Sequence, residues 1–92
     1  KDPKYYNQKM AKMRGHFRQV EKGDAILVVN LTKNRISGYI GGNTLLEMFY
    51  AWQLKKHIYV LNRVSDKCPN KEEVLGFHPV FIDGDLIKIK QI

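Results

Sequence analysis

Three short apolar runs alternate with helical patterns along this chain, and that alternation limits the fold more than any other feature. The runs are 25–31 (AILVVNL), 57–61 (HIYVL) and 80–83 (VFID). The first run does not alternate apolar with polar residues, which predicts a strand buried on both faces. Strands separated by helices favour a parallel sheet with right-handed crossovers. The sequence therefore predicts an α/β fold.

The helices are predicted from periodicity. Apolar residues recur at spacings of three and four over 7–22, which predicts an amphipathic helix. A second helix is predicted over 44–55, and a short one over 71–75. The tail, 86–92, alternates apolar and polar residues, which is typical of an edge strand or a loosely packed end. The predicted order is thus α-β-α-β-α-β.

Length and composition indicate one domain over 1–92, because 92 residues suit a single small domain and 43% of them are hydrophobic. Three strands are few for a parallel sheet, and the sequence starts at Lys1, so the expected domain lacks its first strand–helix unit.

No apolar run approaches the roughly 18 residues that cross a membrane. Cys68 has no partner for an internal disulfide, so a cytoplasmic location is expected.

The net charge is +7, and much of it lies in the first 22 residues. A basic segment can attract nucleic acid or phosphorylated small molecules. These basic residues are spread along the helix, and no aromatic-basic motif of an RNA-binding module follows them. A solvated helix face is therefore favoured over a nucleic-acid interface.

The three scattered histidines have no acidic or cysteine partner at ligand spacing, so no metal site is predicted.

A glycine-rich loop, 32–43, follows the first strand and leads into the second helix. In open α/β sheets, ligands bind beyond the carboxyl ends of the strands. Glycines let a ligand approach the backbone, and free N–H groups at a helix start suit an anion. The candidate binding residues here are Gly41, Gly42, Asn43 and Thr44. The loop has neither a P-loop nor a dinucleotide motif, so a plain flexible loop is the alternative.

Glu47 stands among apolar residues on the second helix and has two interpretations. The stretch Thr44-Leu-Leu-Glu47 fits a capping box, in which Glu47 only closes the helix start. Alternatively, a carboxylate near the end of an otherwise apolar, buried helix would face the crevice as a nucleophile or an acid/base group. The residues alone leave the two interpretations balanced.

Three segments together resemble the nucleoside 2-deoxyribosyltransferase family, in particular its poorly characterised, mostly prokaryotic branch. They are 23–30 (GDAILVVN), 38–51 (GYIGGNTLLEMFYA) and 55–62 (KKHIYVLN), and the later stretch 81–86 (FIDGDL) is also similar to that branch. The likeness covers several consecutive elements in order. It implies a flavodoxin-like parallel sheet sandwiched by helices.

The resemblance also implies cleavage of the N-glycosidic bond of a deoxynucleoside or its monophosphate, without a cofactor. Glu47 would be the nucleophile and would form a covalent deoxyribosyl-enzyme. From their positions, and not from the resemblance, two more residues are candidates for contacting the substrate. Asn30 lies near the end of the first strand, with shaping of the turn as its alternative role. Tyr39 lies in the loop and could stack on a base, with a partial lid or packing as its alternative role. The family implies a homodimer or higher homo-oligomer. The alternative is a nucleotide-binding or regulatory module without catalysis on the same fold.

Overall fold

The computed structural model describes residues 2–89. Its elements follow the predicted order: α1 (Pro3–Lys22), β1 (Ala25–Val28), α2 (Gly42–Gln53), β2 (His57–Val60), α3 (Lys71–Gly76) and β3 (Val80–Phe81). A short 3₁₀ helix, Leu86–Lys88, stands where the sequence predicted an edge strand or a loose end. The last three residues of that predicted tail lie outside the described part of the chain. The α/β class is confirmed.

The first helix starts a turn earlier than the apolar periodicity predicted. Asp2 is its N-cap, and the Asp2 carboxylate accepts a hydrogen bond from the Lys4 backbone N–H at 2.7 Å. Pro3 takes the first helical position, where its missing N–H costs nothing. These capping signals, rather than the apolar stripe, determine where α1 begins.

The three strands form a parallel sheet in the order β1-β2-β3. Ile26 and Val28 of β1 stand beside Ile58 and Val60 of β2, and Phe81 of β3 continues this face. All three helices contribute to the core on this face, through side chains that include Val20, Met48, Ala51 and Val74. The core therefore lies between one face of the sheet and the helices.

The other face of the sheet is not covered as the sequence predicted. Leu27 and Val80 on that face are about half-exposed, although Tyr59 between them is buried. Leu27 shows that β1 is not buried on both faces, so that prediction is wrong for this chain. The helices α1, α2 and α3 all contribute to the core on the opposite face, which carries Ile26 and Val28.

Helix α2 also differs from its prediction as a helix buried all round. Met48 and Ala51 are buried, whereas Leu46, Phe49 and Trp52 are exposed. The physical reason is that α2 contacts the sheet on one side and α1 on another, which leaves its third side open. No described helix is both long and apolar enough to span a membrane.

Candidate functional site

A cleft of about 580 Å³ opens beyond the carboxyl end of β1, where a parallel sheet is expected to bind its ligand. Its walls come from the end of β1, from the loop that follows and from the first turn of α2. The lining residues are Val29, Leu31, Thr32, Lys33, Tyr39, Gly41, Gly42, Asn43 and Thr44. The cleft thus includes five residues that the sequence singled out: Tyr39 and the run from Gly41 to Thr44.

The start of α2 supplies a positive end to this cleft. The helix begins at Gly42 after the N-cap Gly41, and neither its cap nor its first turn carries an acidic group. The N–H groups of a first helical turn have no partner within the helix, and the helix dipole is positive there. Lys33 lies on the cleft wall with its Nζ 5.7 Å from the centre of the Tyr39 ring. This arrangement favours an anionic or polar ligand that also presents a flat surface.

Thr44 does not have the capping role that the sequence allowed. It is the third residue of α2, two residues after the helix begins, so the box Thr44-Leu-Leu-Glu47 does not lie at the helix start. Glu47 is a further turn along the helix. The capping-box interpretation of Glu47 is therefore wrong, because the helix extends back through Asn43 and Gly42.

Glu47 instead pairs with a histidine from the first helix. The Glu47 Oε1 atom lies 2.8 Å from His16 Nδ1, and the Glu47 side chain is 28% exposed. The two helices are held together nearby by the Tyr50 hydroxyl, which donates to a Glu21 carboxylate oxygen at 2.7 Å, and by the Phe17 and Tyr50 rings. The hydrogen bond to Glu21 also raises the pKa of Tyr50.

The carboxylate of Glu47 adjoins the cleft without lining it. Glu47, His16, Lys9, Lys12 and Asn43 all line a smaller cavity of about 100 Å³ between the two helices. Asn43 also lines the cleft, so it joins the two spaces. Two lysines and a histidine thus lie near this carboxylate, one helical turn from the cleft.

Sequence reasoning gave His16 no role. The sequence places His16 only beside the apolar stripe of α1, and its contact with Glu47 links two helices that are far apart in the chain. No local sequence motif predicts such a contact. The signal available was indirect, since His16 precedes Phe17 and the apolar stripe of α1 packs against α2.

Asn30 lies behind the cleft, not on its wall. Its buried side chain donates from Nδ2 to the carbonyl oxygens of Gly38 at 3.1 Å and Asn62 at 2.8 Å. The Asn62 backbone N–H donates to Asn30 Oδ1 at 2.9 Å, and Asn62 Nδ2 donates to the Asn30 carbonyl at 2.9 Å. Asn30 therefore ties the glycine loop to the ends of β1 and β2, and all its amide groups serve this connection.

Gly38 shows why this loop needs glycine. Its φ is +62°, and a Cβ built on it would lie 2.1 Å from the Arg63 carbonyl oxygen. The loop backbone must approach the chain after β2 closely, which only a residue without a side chain permits.

Among residues 2–89 no group of three or more histidine, cysteine, aspartate or glutamate side chains could hold a metal ion.

Comparisons of the chain with protein-family models, with curated proteins and with solved structures find no match. The likeness to the nucleoside 2-deoxyribosyltransferases accordingly rests on the residues quoted above.

Proposed function

We propose that the cleft binds a nucleoside or nucleotide and that Glu47 cleaves its N-glycosidic bond. The observation that carries the proposal is the position of Glu47 on the helix whose first turn forms the cleft wall, with Asn43 shared between the cleft and the cavity beside Glu47. The cleft volume of about 580 Å³ lies within the range typical of small-molecule sites. The Tyr39 ring offers a stacking surface for a base, and the start of α2 offers N–H groups for phosphate or sugar oxygens.

The chemistry requires two displacements at one carbon. Glu47 attacks the anomeric carbon through a carboxylate oxygen, the C–N bond breaks, and the base leaves with the bonding electrons and takes a proton from solvent. A second base or a water molecule then attacks the same carbon and releases the carboxylate, so that the configuration is retained. The contact with His16 engages Oε1, which leaves Oε2 as the attacking oxygen.

The order of the strands agrees with a flavodoxin-like sheet in one alignment only. In the order 2-1-3-4-5, the third, fourth and fifth strands are neighbours in sequence order, as β1, β2 and β3 are. The expectation that a first strand–helix unit alone is absent would make β1 the second strand. The first strand would then lie between β1 and β2, which instead pair directly over four residues. We therefore propose that β1 to β3 correspond to the third to fifth strands.

Binding without turnover is the second candidate, and one observation favours it. Glu47 lines the small cavity rather than the cleft, and its carboxylate is engaged by His16. A carboxylate held in such a contact must lose part of that interaction before it attacks carbon. In this candidate the His16–Glu47 contact holds α1 against α2, and the cleft only recognises the nucleotide.

One experiment separates the two candidates. The protein is incubated with deoxynucleosides and with their 5′-monophosphates, and free base is measured by chromatography. The proposal expects base release by the parent protein and loss of at least about 100-fold in Glu47→Ala, because the nucleophile is gone. Glu21→Gln is the matched control, since Glu21 is a second carboxylate between α1 and α2 and should keep its activity.

Calorimetry with the same compounds completes the test. Binding of nucleotide without base release would support the second candidate. Equal release by the parent and Glu47→Ala would exclude Glu47 as the nucleophile. If none of these compounds binds and no base is released from any of them, both candidates are excluded.

A further inference from the structure

The amino-terminal half of α1 extends beyond the rest of the protein. Every residue from Pro3 to Lys12 is exposed, and the buried residue of this helix, Val20, lies near its other end. At 1.5 Å per residue the exposed half is about 15 Å long. Packing is what usually stabilises a helix in a protein, and this half has almost none. The fold therefore does not explain why α1 is this long.

Helix α1 also concentrates positive charge. It has a single acidic residue, Glu21, whose carboxylate accepts a hydrogen bond from Tyr50 and so faces α2. Its six lysine and arginine residues are Lys4, Lys9, Lys12, Arg14, Arg18 and Lys22. Within residues 2–89 none of these six side chains has an ion-pair partner, whereas Arg63, Lys71 and Lys88 do. The protein itself thus leaves the charge of α1 without neutralisation.

Four of these cations share one side of the helix, which we call the basic face: Lys4, Arg14, Arg18 and Lys22. The last three follow at a spacing of four residues, and the first precedes the last by five full turns. Ala11 and Gly15 lie on the same side, and no neighbouring group lies within 4 Å of the place where a Cβ at Gly15 would stand. Glycine inside a helix costs stability relative to alanine, and no contact of the described chain needs it here. Small residues between cations let a large anion come close to the helix.

We propose that the basic face binds duplex DNA and that the exposed half of α1 lies in the major groove. The sequence alone favours a solvated face, and the structure adds that this half of α1 has no packing role. The phosphates of DNA are a regular array of negative charge, which complements the four unpaired cations. The major groove of B-DNA, about 12 Å wide, admits an α-helix. The proposal goes beyond the nucleotide cleft and does not depend on it.

Two other anionic partners fit this face less well. The major groove of double-stranded RNA is too narrow for side chains to read. An anionic membrane binds a helix through a large apolar face, and the basic face has no apolar side chain larger than that of Ala11. The exposed Tyr6 and Met10 lie in line with Phe17, on the side where Phe17 packs against Tyr50 of α2.

The test is the fluorescence anisotropy of a labelled DNA duplex about two helical turns long, titrated with the full chain. The measurement is repeated from about 50 to about 200 mM salt. Each phosphate contact contributes about −0.9 to the slope of the logarithm of the association constant against the logarithm of salt concentration. Four contacts therefore predict a slope of about −3.6.

The triple variant Arg14→Gln/Arg18→Gln/Lys22→Gln tests the face itself. It removes three of the four cations and replaces them with a good helix former. It should bind the duplex at least about tenfold more weakly, and the slope should shrink to about −0.9. Far-UV circular dichroism verifies that the variant is folded.

The matched control is Arg35→Gln/Lys55→Gln/Lys67→Gln, which removes the same number of charges at exposed positions outside α1. Its affinity should stay within about twofold of the parent protein, because salt screens exposed charges that lie far from the DNA. A control that is weakened as much as the test variant would overturn the proposal, since net charge and not the basic face would then determine binding.

Other ligands test the groove. Double-stranded RNA of the same sequence and vesicles that contain anionic lipid should each bind at least about tenfold more weakly than the DNA duplex. Equal binding of the RNA would overturn insertion into the major groove, and tighter binding of the vesicles would assign the face to a membrane instead. No measurable binding of the DNA duplex at the lowest salt concentration would overturn the whole proposal.

Discussion

Replacing Gly38 with alanine should be among the most destabilising single changes in this chain. Two costs combine. A φ of +62° puts alanine in the left-handed region, which costs about 1–2 kcal/mol. The new methyl group would also lie 2.1 Å from the Arg63 carbonyl oxygen, so the loop must move away.

That movement strains two hydrogen bonds of the loop. Asn30 donates to the Gly38 carbonyl at 3.1 Å, and the Ser65 backbone N–H donates to the Ser37 carbonyl at 3.0 Å. Each is worth about 1 kcal/mol. The expected loss is therefore about 3–4 kcal/mol in the free energy of unfolding. A domain of 92 residues has roughly 5–14 kcal/mol in total, so the variant should fold but with a much lower urea midpoint.

Two other glycines separate the two costs. Gly84 has a φ of +77° and open space where the alanine methyl group would stand, so Gly84→Ala should lose only the backbone strain, about 1–2 kcal/mol. Gly15 lies inside α1 with open space around it, and Gly15→Ala should gain about 0.5–1 kcal/mol. Urea titrations followed by circular dichroism measure all three. If Gly38→Ala lowers the free energy of unfolding by no more than Gly84→Ala does, the close approach to the Arg63 carbonyl oxygen does not destabilise the variant as expected.

Three further changes test the core, the loop connection and the acid response. Asn30→Ala should lose about 2–4 kcal/mol in urea unfolding, since it removes three side-chain hydrogen bonds; Asn43→Ala is the exposed control. Met48→Ala should lose about 2–5 kcal/mol at a fully buried site, as measured by thermal unfolding. The hydrogen bond and charge of Arg63 lower the pKa of Asp83, so the stabilisation that Asp83→Asn removes should be present at neutral pH and be lost in acid, below the ordinary pKa range of an aspartate, as the carboxylate protonates. An Asp83→Asn effect that persists unchanged in acid would contradict that assignment.

Local patterns predicted the elements well and their ends less well. Apolar periodicity located α1 and α2, and the non-alternating runs located β1 and β2. The sequence predicts the start of α2 at Thr44, where Thr44-Leu-Leu-Glu47 also fits a capping box, whereas the helix begins at Gly42. Glycine and asparagine have low helix propensity, yet the first turn needs little propensity when the rest of the helix packs on a core. Packing therefore outweighed the local signal.

The candidate site was also predicted only in part from the sequence. The cleft beyond β1 follows from the rule for parallel sheets, and the sequence placed Tyr39 and the run from Gly41 to Thr44 on it. Asn30 looked like a ligand contact because it ends a strand. The structure shows its amide bonded to Gly38 and Asn62. Such a partner choice depends on which loop crosses the strand end, and no local pattern contains that.

The sequence by itself determined the α/β class, the order of helices and strands, and the glycine loop ahead of α2, because periodicity and turn chemistry act over a few neighbouring residues. Only the tertiary structure decided that α1, α2 and α3 all contribute to the core on one face of the sheet and that His16 contacts Glu47. The open faces around Leu27 and Trp52 were decided there too. Each of these depends on how elements distant in the chain pack together, and burial is settled by that packing and not by the apolar character of a segment alone.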